Sequence, residues 1–168
     1  AAWLKADYEN LMNPTDFAQC PTLVLSTASV TVAEDGDSDT FTVKLSVQPA
    51  SSVVVNLSSS DSGECTVSPS SLTFTSGDWN TPQTVTVTGV NDDRAVEDTA
   101  VITVSVDDAN SDDTYDPVPD SVVSATCTND DSVGFTVTES DGSTIVDEDG
   151  GTDTFTVVLD AQPDSDVV

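Results

Sequence analysis

Seven carboxylates sit in the turns between short apolar segments: Glu34, Asp61, Asp92, Asp93, Glu97, Asp130 and Asp131. Carboxylates in such turns can hold a hard cation through oxygen, work as a paired acid and base, or satisfy the backbone of their own turn. The chain has no histidine, so an imidazole base and a His-ligated metal are both out of reach within it. Glycoside hydrolysis needs two carboxylates across a cleft, and no cleft-forming insertion can be read here. What remains is an oxygen-ligated cation such as calcium, or plain solvated turns. Electrostatics favours the cation. Two carboxylates 4–5 Å apart repel by roughly 3–4 kcal/mol at an effective dielectric near 20, and a cluster of five or six would splay without a counter-ion.

The charge balance narrows the partners. The 168 residues carry 31 Asp plus Glu against 3 Lys plus Arg, a formal net charge of −28. Phosphate neutralisation needs a basic surface, so nucleic acid is excluded, and so is adhesion to an anionic membrane. High charge with 36% apolar residues is also a composition of disorder. Against that, the acid is mostly Asp, a turn former, and the apolar residues are mostly Val alternating with Thr, which is strand composition. No apolar run approaches the length a membrane helix needs. An acidic, Thr-rich β chain with cysteines suits an extracellular or cell-surface setting. The chain opens on Ala and shows no signal peptide, as a processed or excised piece of something larger would.

The elements that must position the acids are short strands. Residues 1–12 differ from the rest, with Leu4, Tyr8, Leu11 and Met12 on one helical stripe ended by Asn13-Pro14. From Pro21 onward the pattern is β. Strands are expected at 29–32, 39–47, 53–57, 72–75, 84–90, 99–106 and 121–128, separated by polar turns. Phe41, Val43, Leu45 and Val47 alternate with Thr40, Thr42, Lys44 and Ser46. About seven short strands over roughly 105 residues predict an all-β antiparallel sandwich. In a sandwich alternate loops share an end, and counting reversals puts most of the seven acids at one pole.

The pattern then restarts. Residues 31–54 match 145–168 at an offset of 114 with 15 identities in 24 positions. Glu34-Asp35-Gly36 and Asp39-Thr40-Phe41-Thr42-Val43 are echoed by Glu148-Asp149-Gly150 and Asp153-Thr154-Phe155-Thr156-Val157. The chain is therefore a tandem array, divided as 1–22, a complete repeat at 23–131, and the first half of another at 132–168. Half a sandwich cannot bury its apolar face alone.

The repeat resembles the Calx-β family and its bacterial surface-protein relatives over about residues 26–168. The matching pieces are Glu34-Asp35-Gly36, Ser70-Ser71-Leu72-Thr73-Phe74, residues 79–87 from Trp79-Asn80-Thr81-Pro82, Asn91-Asp92-Asp93, and the closing Asn129-Asp130-Asp131. The resemblance implies tandem immunoglobulin-like sandwiches of large secreted proteins, with calcium at one pole of each. By it, Glu34, Asp92, Asp93, Asp130 and Asp131 correspond to calcium-binding positions, and Asp61 and Glu97 correspond less closely because loop lengths differ. Asn91 and Asn129 stand where the family often has a third acid, which removes charge. Residues 1–20 are similar to the C-terminal tail of concanavalin-like, laminin-G-like lectin domains, through Trp3-Leu4-Lys5-Ala6-Asp7-Tyr8-Glu9-Asn10, Asn13-Pro14 and Phe17.

Cys65 and Cys127 fall near the ends of strands that could be neighbours; sequence alone leaves their pairing open, with Cys20 over. Trp79 reads as a core or end-cap aromatic, or else a sugar-stacking platform. Asp112, Asp113 and Tyr115 read equally as a second ion site or a solvated loop. The expected function is a non-catalytic structural or adhesive segment, rigidified by calcium, whose partners are neighbouring repeats. The alternatives are a filament or surface-layer subunit completed by strands from other copies of itself, and a module for surface glycans.

Overall fold

Phe41, Val43 and Leu45 point inward and are at most 1% exposed, while Thr40, Thr42 and Lys44 face the surface. Period-two alternation in a pleated strand does this wherever one face is buried. The structure, a computed structural model, describes residues 20–96 and 98–168. The helix expected over 1–12, the lectin-like stretch up to residue 19, and Glu97 lie outside the described residues.

Nine strands make the first unit: β1 (Leu23–Leu25), β2 (Ser29–Ala33), β3 (Ser38–Leu45), β4 (Val53–Ser59), β5 (Cys65–Ser68), β6 (Ser71–Phe74), β7 (Gln83–Gly89), β8 (Asp98–Val106) and β9 (Ser121–Thr128). One sheet runs β1-β3-β7-β5 and the other β2-β9-β8-β4-β6. Their inner faces share one core that includes Phe41, Val85 and Val87 from the first sheet and Val55, Phe74, Ile102 and Val123 from the second. The result is an immunoglobulin-like β-sandwich.

Three features depart from the sequence expectation. β1 and β5 are only three and four residues long, too short for alternation to announce them. β2 pairs with β9 in parallel, from Ser29↔Ser124 to Ala33↔Thr128, although every other pair in the sandwich is antiparallel. The cause is a sheet switch: β1 lies beside β3, the chain steps across at residues 26–28, and β2 joins the opposite sheet without reversing. The third feature is the polar stretch 107–120. It holds two short 3-10 turns, Asp108–Asn110 and Asp113–Tyr115, and it buries Tyr115 fully. The Tyr115 hydroxyl donates to the Val47 carbonyl at 2.5 Å.

Beyond Asp131, β10 (Phe135–Glu139) and β11 (Phe155–Leu159) form a separate antiparallel pair. Its register, Phe135↔Leu159 and Val137↔Val157, repeats Leu23↔Leu45 and Leu25↔Val43 of β1 and β3. The counterpart of β2, at 143–147, forms no strand. In the first unit β2 pairs only with β9, and among the described residues nothing plays β9's part here.

Candidate metal centre

The parallel pairing of β2 and β9 brings two strand ends to one pole. Ala33 and Thr128 are the last paired residues, so Glu34 emerges beside Asn129-Asp130-Asp131. Glu34 N–H donates to the Thr128 carbonyl at 3.2 Å. Asp130 N–H donates to Glu34 Oε1 at 2.8 Å. Asn129 folds the next turn back on itself: its Oδ1 accepts from Asp131 N–H at 2.8 Å and its Nδ2 donates to the Asp131 carbonyl at 3.2 Å. Glu34, Asp130 and Asp131 each then offer a carboxylate oxygen within 4.8 Å of the others.

These oxygens are poorly compensated by protein. Glu34 is 2% exposed. Asp131 Oδ2 is buried with no hydrogen-bond partner, and an orphan of this kind calls for an explanation. The Asp130 N–H pulls the Glu34 pKa down, but burial and the carboxylates of Asp130 and Asp92 outweigh it and leave it raised. Burial, then Asp130, Asp93 and Asp92, raises Asp131. Low dielectric and like charge both disfavour ionisation. A hard cation ligated by oxygen removes both penalties, and it takes six to eight ligands. Three carboxylates are donors of the type such a cation takes; Glu34 is buried, Asp131 is half-buried and Asp130 is exposed.

The other expected ligands are spread around this trio. Asp92 Oδ1 is committed to the Arg94 N–H at 2.8 Å, and Asp92 and Asp93 act on the trio through their charge. Asp61 turns its own loop, with Oδ1 accepting from Gly63 N–H at 2.9 Å. It bears on Glu64 rather than on the trio.

Glu64 belongs to a second acid group that strand alternation and turn positions did not single out. It is 9% exposed and its pKa is raised by burial, then by Asp98, Asp92 and Asp61, with Arg94 opposing. Arg94 Nη1 lies 3.9 Å from Glu64 and 3.4 Å from Asp98. The signal was present in the composition: Arg94 is one of three cations in the chain, and it sits inside an acidic loop. This group carries its own counter-ion, whereas no cationic side chain lies against Glu34, Asp130 and Asp131 among the described residues.

Asp112 is no ion site. Its Oδ2 accepts from Ala50 N–H and Ser51 N–H, each at 2.7 Å, and its Oδ1 from Thr114 N–H at 3.0 Å and the Thr114 hydroxyl at 2.6 Å. The Thr114 hydroxyl and then the backbone donors hold its pKa well below the usual carboxylate range. Every lone pair that a metal would need is already used by the chain. Trp79 packs against the core, and its carbonyl accepts Leu45 N–H at 2.9 Å. Cys65 of β5 and Cys127 of β9 are disulfide-bonded, joining the two sheets, and Cys20 is free and exposed.

No family model matches the chain, and no curated protein matches it. Solved structures do. A PapD-like domain, number 7 of human CEP192, is 12% identical and covers 64% of this chain and 84% of that one, with a TM-score of 0.50. SSP-19, an MSP-domain-like protein of Caenorhabditis elegans, is 16% identical over 62% of this chain and 98% of its own, with a TM-score of 0.46. The GH5 xyloglucanase of Bacteroides ovatus is 20% identical over 64% of this chain, with a TM-score of 0.44, and the match spans only 19% of the enzyme. At 12% identity the likeness to the PapD-like domain speaks to architecture alone, and the architecture is the immunoglobulin-like β-sandwich described above.

Proposed function

We propose that the chain is a non-catalytic structural segment of a large extracellular protein, built of sandwich repeats whose joints are stiffened by calcium. The observation that carries the reading is the Glu34, Asp130 and Asp131 trio, with its carboxylate oxygens within 4.8 Å and Asp131 Oδ2 buried and unpartnered. The trio sits where β9 hands over to the next unit. Only residues 132–134 separate Asp131 from β10, which is too short for a flexible tether. A divalent cation there offsets two of the trio's three negative charges and ties the end of one unit to the start of the next. Gln162 N–H donates to the Asp93 carbonyl at 2.6 Å and Arg94 Nη2 meets Asp164 at 3.1 Å, so the same pole also touches the second unit. The intersheet disulfide supports an oxidising compartment.

Calcium titration by calorimetry tests this. Wild-type chain binds calcium, Glu34→Gln and Asp131→Asn lose most of the affinity, and Asp61→Asn keeps it. Absence of binding at millimolar calcium by the folded chain overturns the proposal, as does binding that survives both trio substitutions. Small-angle scattering with calcium and with chelator then reports the joint. Identical profiles mean that bound calcium does not stiffen it.

A further inference from the structure

The Cys65–Cys127 bond lies between the two groups of acids. Glu64, the residue before Cys65, is 9% exposed and stands with Arg94 and Asp98. Cys127 is opposite Asp98 on β8 and Val32 on β2, and three residues further on Asp130 meets Glu34. Asp92 bears on Glu34, Glu64 and Asp131 alike, so the two groups make one charged pole. Among the described residues, six carboxylates (Glu34, Glu64, Asp92, Asp98, Asp130 and Asp131) face the single guanidinium of Arg94 there. The disulfide is the covalent tie across this pole. Cys65 opens β5, a four-residue edge strand that pairs only with β7. Cys127 lies in the other sheet, on β9 between β2 and β8. Like charges on the two sheets push β5 and the end of β9 apart, and the bond holds them. Both cysteines are at most 2% exposed. Disulfide exchange needs access to a sulfur, so a reductant reaches this bond only when the pole has opened.

We propose that Cys65–Cys127 is a redox latch on a pole loaded by its own charge. Repulsion among the carboxylates sets how fast a dithiol reductant reaches the bond, and reduction releases the ends of β5 and β9 while the opposite pole stays closed. The dithiol supplies two electrons and two protons: the S–S bond breaks, each cysteine sulfur gains a proton, and the dithiol closes to its own disulfide. The opposite pole has its own fastenings. There Asp112 accepts from the Ala50 and Ser51 N–H groups, and the Tyr115 hydroxyl donates to the Val47 carbonyl. The released end of β9 leads into Asp130 and Asp131, so the latch acts on the pole to which the calcium reading refers. It does not rest on that reading, and its test is run with chelator throughout.

The experiment measures thiol release at neutral pH in a Cys20→Ser background, where every new thiol comes from this bond. The reductant is tris(hydroxypropyl)phosphine, whose lack of charge makes it indifferent to the chain's −28. It takes an oxygen from water to become the phosphine oxide, and the two hydrogens go to the sulfurs. Glu64→Gln and Glu34→Gln each slow reduction roughly threefold or more, because they remove repelling charge and keep the side chain's shape. Asp113→Asn, exposed at the opposite pole, changes the rate by less than about twofold. A disulfide held by packing alone responds with the other sign, since altering a buried neighbour loosens it. A rate that stays level or rises in either folded Gln variant overturns the proposal, and so does equal slowing by Asp113→Asn. The unaltered pole gives a check that needs no further variant. Raising salt from about 0.01 M to about 0.1 M shortens the screening length from about 30 Å to about 10 Å and slows reduction; an unchanged rate overturns the proposal. Amide exchange by NMR then locates the opening. In the reduced chain it quickens at least about tenfold at Glu34, Cys65, Val90 and Asp130, and it is unchanged at Ala50, Ser51 and Tyr115. Quickening of all seven alike, or of none, overturns the proposal.

Discussion

Glu34 Oε1 accepts the backbone N–H of Asp130 at 2.8 Å, across 96 residues of sequence. The contact exists because β2 and β9 run in the same direction and end together at Ala33 and Thr128. Had β2 paired antiparallel, Glu34 would leave the sheet at the opposite pole, away from every acid that it now faces.

Glu34→Gln separates the hydrogen bond from the charge. Gln keeps an acceptor for the Asp130 N–H and removes one of three converging carboxylates. With chelator the variant melts a few degrees above wild type, because buried like-charge repulsion falls. Its calcium affinity drops by about tenfold or more, roughly 1.4 kcal/mol or more. Paired melting curves with calcium and with chelator check both signs.

The pH dependence follows from shifts of opposite sign. Glu34, Glu64 and Asp131 lie above their ordinary values of 4.5, 4.5 and 3.8. The folded chain therefore holds those protons more tightly than the unfolded chain, and their contribution improves as pH falls through the raised values. Asp112 lies below its ordinary 3.8; its contribution is full above that value and is lost as pH falls through the depressed one. With chelator, stability rises as pH falls from neutral through the raised values and is lost again as it falls through the depressed one. Calcium removes the share of that rise due to Glu34 and Asp131, since protons and metal compete for the same oxygens, and leaves the share of Glu64. Glu34→Gln reduces the rise, since Glu64 and Asp131 keep their raised values. A chelator curve that declines steadily from pH 7 contradicts the assignment.

Gly89 closes β7 against the start of the pole. A Cβ there would meet the Ala33 carbonyl oxygen at 2.1 Å and Glu34 Cα at 3.1 Å. Both contacts are backbone and cannot rotate away. Gly89→Ala destabilises the sandwich by about 1–3 kcal/mol and displaces Glu34, so calcium affinity falls although no ligand has changed. Gly77→Ala, whose Cβ would meet only Thr75 Oγ1 at 3.8 Å, is the control and leaves affinity intact.

The Cys65–Cys127 bond closes a loop with a sequence separation of 62 and crosses between sheets. Reduction, or replacement of both by Ala, costs about 2–4 kcal/mol. Chemical denaturation with and without reductant measures this. Cys20→Ser leaves the midpoint unchanged, since that residue is exposed and unbonded.

Strand alternation alone determined much of this protein. Val85 and Val87 against Thr84, Thr86 and Thr88 admit one buried face, and a period of two is a local property of the chain. The acids Glu34, Asp130 and Asp131 were legible as turn residues and as members of a repeating pattern. Counting strand reversals also put most of the acids at one pole, but it did not single out these three as the group whose oxygens come within 4.8 Å. Their convergence depends on the sheet switch after β1, which turns one strand pair parallel, and pairing direction is a non-local choice made by packing. The same holds for the division of labour at the pole. Asp61 and Glu64 are three residues apart in one turn, yet Asp61 spends its carboxylate on Gly63 while Glu64 is buried against Arg94. Asp112 read equally as an ion ligand or a solvated loop residue until folding brought Ala50 and Ser51 to it from about 60 residues away. Charge and composition are carried by each residue, whereas which lone pairs stay free is decided only when distant backbone donors arrive.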